Sequence, residues 1–141
     1  MRPTLLTLVG LQDDYRHHGR TIIEPLPTLA LPPSLRQSRD ALSELGAVYK
    51  QVNAAFGRFA MDTLRASTIA LNSGAGADDQ DYQRLESRIS ALTDERDALA
   101  AQEMLDAAAF GGRAIDEDRV EFVLERASDL LERVGRLARP E

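Results

Sequence analysis

Apolar residues in this chain fall into three stretches of helical spacing, preceded by a short apolar cluster at the start. From Ser34 onward, Leu35, Leu42, Leu45, Tyr49, Val52, Phe56 and Phe59 recur at intervals of seven, three, four, three, four and three. That spacing holds them on one face of a helix running to about Asn72. Unbroken, such a helix spans about 58 Å at 1.5 Å per residue. Gly46 and Gly57 share a face of it. Each lowers helix propensity by about 1 kcal/mol relative to Ala. They mark close approach of another helix or a local break, or they are glycines tolerated in a helix held by packing.

The polar run Asn72 to Asp79 reads as a turn, and Asp78 to Asp81 place carboxylates where a helix start favours them. A second helix follows, with Tyr82, Leu85, Ile89, Leu92, Leu99, Met104, Leu105 and Ala108 as its apolar face and Gly111-Gly112 as its stop. The third helix has the clearest start. Asp116 is a good N-cap, and Ile115 and Val120 are placed for a hydrophobic staple across it. Val120, Val123, Leu124, Ala127, Leu130, Leu131, Val134 and Leu137 form its buried side. Asp129 with Arg133 and Glu132 with Arg136 form i, i+4 pairs toward solvent, each worth about 0.3 to 0.5 kcal/mol.

The pattern of residues 1–33 is different. Pro3 suits a first helical position and Gly10 a stop, so Pro3 to Val9 is predicted as a two-turn helix bearing Leu5, Leu6, Leu8 and Val9. A helix that short needs something to pack against. Thr21 to Ile23 is β-branched and suits a short strand, and Pro25, Pro27, Pro32 and Pro33 oppose regular structure until about Ser34. The predicted fold class is therefore mainly α. It consists of a long antiparallel helical hairpin plus a third amphipathic helix over 34–141, preceded over 1–33 by a short helix and an irregular proline-rich connector.

Composition narrows the function. The 141 residues are 28% charged and 43% hydrophobic, as in an ordinary folded domain, and the formal charge of -6 disfavours nucleic acid and anionic membrane surfaces. The acidity is concentrated in residues 73–112, which hold nine acidic and three basic groups. With no cysteine, disulfides, thiolate nucleophiles and sulfur-ligated zinc are excluded. No apolar run approaches the roughly 18 to 20 residues of a membrane span, and Met1 to Leu11 lacks a small-residue cleavage site, so it is not read as a signal peptide.

Motifs of the P-loop, G-x-S-x-G, H-E-x-x-H, EF-hand and G-x-G-x-x-G types are absent from the sequence. The one polar cluster is Asp13, Asp14, His17 and His18, whose carboxylates and imidazoles are divalent-metal ligand types. Adjacent histidines in a loop diverge, and no further ligand accompanies them, so the cluster reads as a surface turn. The expectation is no catalytic, cofactor-binding or metal-binding residue in this chain, and no cofactor.

Pro3-Thr4-Leu5-Leu6-Thr7-Leu8-Val9-Gly10-Leu11, followed by Gly19-Arg20-Thr21-Ile22-Ile23, resembles the late part of alkaline-phosphatase-superfamily hydrolases, the sulfatases and phosphoesterases. Those enzymes carry a P-T-L-L-x-L-x-G-L helix and then a D-G-x-S-L turn. Here His18 stands where the family has Asp and Thr21 where it has Ser, so the second motif is degraded. The resemblance implies that the nucleophile and metal ligands lie upstream in an α/β domain, outside these residues. No functional residue of the family carries over. The chain would then be a non-catalytic C-terminal scaffold or oligomerisation segment of a longer metal-dependent ester hydrolase. The helix Pro3 to Val9 would have lost the sheet it packs on, which implies exposed apolar surface. The alternative, from spacing alone, is a standalone helical module that self-associates through Leu42, Leu45, Val52, Phe56 and Phe59.

Overall fold

The computed structural model describes residues 2–9, 22–72, 79–99 and 115–139. Among them the structure is mainly helical, and no strand occurs. The elements are α1 (Arg2–Val9), a 3-10 turn (Thr28–Ala30), α2 (Pro33–Arg36), α3 (Arg39–Asn53), α4 (Arg58–Asn72), α5 (Asp79–Ala98) and α6 (Glu117–Leu137). The chain divides into two compact units, one of residues 1–49 and 100–124, the other of residues 50–99 and 125–141.

The first unit closes around Ile23, Leu31, Leu35, Leu42, Leu45, Val120 and Val123, with Leu26, Tyr49, Ile115 and Leu124 packed against that core. The start of α6 follows the cap chemistry read from sequence. Asp116 accepts a hydrogen bond at Oδ1 from Arg119 N at 3.3 Å, and Ile115 packs on the cluster that holds Val120. Thr21 lies outside the described residues, and Ile22-Ile23 is not a strand. Ile23 enters a turn in which Leu26 N donates to Ile23 O at 3.1 Å, since Pro25 cannot continue a ladder.

The connector is more ordered than its prolines suggest. Pro33 occupies the first turn of α2, where its missing N–H costs nothing. Two arginines supply donors that the prolines lack. Arg36 donates to the carbonyls of Leu31 (2.8 Å) and Leu29 (3.1 Å), and Arg39 donates to Thr28 Oγ1 (2.7 Å) and Glu24 O (3.1 Å). Three of these bonds satisfy backbone carbonyls of the connector, and the fourth ties the Thr28 hydroxyl to α3.

The helix expected over residues 34–72 is interrupted by a turn at 37–38, between α2 and α3, and divided again at 54–57. Ala54 N donates to Lys50 O at 3.1 Å and Gly57 N to Ala54 O at 2.8 Å, after which Met61 N bonds Gly57 O and α4 begins. The freed amide of Arg58 is taken by Gln51 Oε1 at 3.3 Å. Gly57 makes the break possible. A Cβ there would lie 2.6 Å from the carbonyl oxygens of both Lys50 and Gln51, so the chain can fold back over the end of α3 only without one. Gly46, by contrast, sits inside an unbroken α3.

In the second unit, α4, α5 and the C-terminal part of α6 pack together. Phe59 and Ala66 of α4, Leu92 of α5, and Ala127, Leu130, Leu131, Val134 and Ala138 are buried. Arg96, near the end of α5, lies over the ring of Phe59 near the start of α4, 5.2 Å from its centroid, as an antiparallel hairpin requires. Tyr82, placed on the apolar face of the second helix by its spacing, is exposed, because only the later turns of α5 bury a residue of that face. Leu99 N bonds Arg96 O at 3.1 Å and ends α5. The expected continuation through Met104, Leu105 and Ala108 to Gly111-Gly112 lies outside the described residues.

Candidate functional site

Leu42, Leu45, Val52 and Phe59, four of the residues whose spacing suggested a dimer face, are buried in the chain's own core. A partner therefore cannot reach them without unfolding. Phe56 differs because the break lifts it off the helical face, and it is 90% exposed. Asp13, Asp14, His17 and His18 lie outside the described residues. Among the described residues, no group of three His, Cys, Asp or Glu could hold a metal ion.

The polar geometry concentrates elsewhere, within the second unit, between α5 and α6. Glu95 of α5 accepts from two arginines of α6 that stand two turns apart, Arg126 Nη2 at 2.9 Å and Arg133 Nη1 at 2.7 Å. Arg133 also meets Asp129 at 3.3 Å, and Arg136 Nη1 donates to Glu132 at 2.9 Å. The hydrogen bond to Glu95, its largest influence, raises the Arg133 pKa above its ordinary value. Partial burial opposes that rise, and Asp129 adds to it. Because the shift is upward, the arginine stays charged below its unfolded pKa, and its contribution is lost only as pH rises through the raised value.

Beyond this network lies a cleft of 670 Å³ lined by Leu85, Arg88, Ala91 and Leu92 of α5 and by Arg133, Arg136, Leu137 and Arg139 from the end of the chain. The two helices run antiparallel, since Glu95 meets Arg126 and Arg133 while Leu85 and Arg88 share walls with Arg136 and Arg139. A second concavity, of 520 Å³, follows α5 along Gln80, Gln83, Arg84, Ser87 and Arg88. The cleft was not evident from sequence. Arg133 and Arg136 read as ordinary i, i+4 partners, as the pairs at 3.3 and 2.9 Å bear out, and Glu95 was one acidic residue among the nine of 73–112. The available signal was the recurrence of Arg133, Arg136 and Arg139 every three residues, which places two cations on the last turns of α6 and a third just past its end.

Glu95→Gln is expected to lower stability by about 0.5 to 1.5 kcal/mol, the range for a partly exposed charge network, and the loss should shrink in high salt. Urea unfolding at two ionic strengths reads both; a cost above about 3 kcal/mol would instead mark a desolvated pair.

Two apolar surfaces are uncovered. On α4, Met61, Leu64 and Leu71 are exposed and follow three-four-three spacing through Thr68, opposite the buried Phe59 and Ala66. On α1, Leu5 is 61% and Val9 66% exposed, with Leu8 also exposed. Within the first unit, α1 is tied to Ile22, whose amide donates to Thr4 Oγ1 at 2.9 Å. No helix among the described residues is long and apolar enough to cross a membrane. In comparison with known proteins, the sequence matches no family model and no curated protein, and the fold matches no solved structure.

Proposed function

We propose that this chain is the non-catalytic, helical C-terminal scaffold of a longer metal-dependent ester hydrolase of the alkaline-phosphatase superfamily, with α1 seated against the catalytic part of that polypeptide. The single observation that carries the reading is the exposure of α1. Eight residues are too few to hold a helix by their own hydrogen bonds, yet Leu5, Leu8 and Val9 are left in water. A helix of this composition is stabilised when its apolar side chains are covered. The stretch that carries the family resemblance, residues 3–23, contains it.

Two tests apply. Purified chain should turn over no phosphate or sulfate monoester with added divalent metal, and metal-dependent turnover that survives purification contradicts the reading. Leu5→Asn combined with Val9→Asn should leave the urea-unfolding free energy of this chain within about 0.5 kcal/mol, as for exposed positions. A loss of about 2 kcal/mol or more would mean that α1 is already packed where it is.

The outer stripe of α4 favours a second reading, a self-standing helical module that associates with copies of itself. Under it, light scattering finds a defined dimer that Leu64→Asp with Leu71→Asp converts to a folded monomer. A monomer at every concentration removes this reading.

A further inference from the structure

Cations converge on the α5–α6 cleft of a chain whose net charge is -6. Arg133 and Arg136 are already held by Glu95, Asp129 and Glu132. Arg88 and Arg139 are not so held. Among the described residues neither has an acidic partner, although the neighbouring Arg84 and Arg96 are paired with Asp81 and Asp97. Leu85, Leu92 and Leu137 stand beside these two guanidinium groups on the same walls. The cleft thus joins two demands: a planar cation recognises a phosphate, sulfate or carboxylate through paired N–H donors, and hydrocarbon walls are best covered by hydrocarbon.

We infer that this cleft is a binding site for an amphiphilic anion, its acidic head on Arg88 and Arg139 and its apolar body along Leu85 and Leu137. The volume of 670 Å³ falls within the range of about 300 to 1,000 Å³ typical of small-ligand sites. A bare inorganic anion would leave the half-buried Leu85 and Leu137 wet, and a neutral alcohol would leave both arginines without a counter-charge, so neither alone matches the site. The inference goes beyond the scaffold reading and does not depend on it.

The test titrates the full 141-residue chain by calorimetry with octyl phosphate, inorganic phosphate and octanol. Saturable binding of octyl phosphate is expected, tighter than the other two by about tenfold or more, since octanol lacks the charge-assisted hydrogen bonds and inorganic phosphate lacks the buried methylenes. Arg88→Gln with Arg139→Gln should weaken it by about tenfold or more while circular dichroism shows the fold unchanged, since both side chains are exposed. Arg65→Gln with Arg119→Gln removes the same charge outside the cleft and should change little. Sedimentation with phosphatidate-containing vesicles, set against phosphatidylcholine alone, separates the two sources of such a head. Pelleting that requires Arg88 and Arg139 assigns it to a lipid surface, and octyl phosphate binding without pelleting assigns it to a free amphiphile; each retains the site. Absence of saturable octyl phosphate binding, equal binding of octanol, or equal loss in the control pair overturns it.

Discussion

Gly57→Ala should destabilise the second unit by about 3 kcal/mol or more, the upper part of the range for forced overpacking. The added Cβ would meet the carbonyl oxygens of Lys50 and Gln51 at 2.6 Å, and both are backbone atoms at the end of a helix. They cannot rotate away as a side chain can. Relief requires the 54–57 turn to open, which would also break the bonds from Gly57 N to Ala54 O and from Arg58 N to Gln51 Oε1. Gly135→Ala is the matched comparison. Its Cβ would lie 3.3 Å from Arg58 Nη2 and 3.5 Å from Asp62 Oδ2, both ends of side chains that can shift. The substitution also replaces a helical glycine in the last turn of α6, so its expected effect runs from neutral to a gain of at most about 1 kcal/mol. Thermal and urea unfolding of the two variants side by side checks the contrast. Equal effects would mean that the break at Gly57 does not depend on the missing Cβ.

Leu45→Ala should cost about 3 to 5 kcal/mol, the range for truncating a fully buried leucine whose site cannot collapse. Leu45 is 0% exposed, in the core that joins α3 to Leu35, Val120 and Val123. That is a large part of the total stability of a domain this size. Leu45→Asp goes further, because a carboxylate there has no polar partner in the cluster, and it should unfold the first unit outright. Loss of a dimer on Leu45→Asp would therefore report unfolding, not an interface. Hydrogen exchange at residues of α3 and the start of α6 checks the expectation. Protection retained in Leu45→Ala would contradict it.

The helical elements were legible because their apolar spacing and caps are local. Val120, Val123, Ala127, Leu130 and Val134 lie on the side of α6 that the pattern assigned to the core, and Asp116 caps it. The faces of the first long helix were equally legible, as Leu35, Leu42, Leu45, Val52 and Phe59 are all buried. The division of that helix was harder to read. A helical repeat carries past a break when the residues on both sides keep their spacing, so Phe56 stayed in register on paper while the backbone turned it outward. Gly57 was the one signal, and its weight depended on a contact with Lys50 and Gln51 that spacing does not encode.

The second apolar side of α4 was hidden for a related reason. Met61, Leu64 and Leu71 are ordinary helix residues, and their exposure is set by which neighbours α4 meets. The cleft depends on the same kind of information. Arg88 comes from α5 and Arg139 from beyond the end of α6, and only the antiparallel packing of the two helices brings them to one cavity. The proline-rich connector ran the other way. Its prolines hid a 3-10 turn and a first-turn proline that Arg36 and Arg39 hold in place from the following helices.

On the proposed function, α1 is covered by the catalytic part of the same polypeptide. The most direct measurement is the size of the native product in source cells, by immunoblot with an antibody raised against α6. The expected result is a band well above 15.5 kDa, carrying metal-dependent phosphate- or sulfate-ester hydrolase activity when immunopurified. A single band at 15.5 kDa would contradict it and leave α1 as an exposed apolar helix of an independent protein.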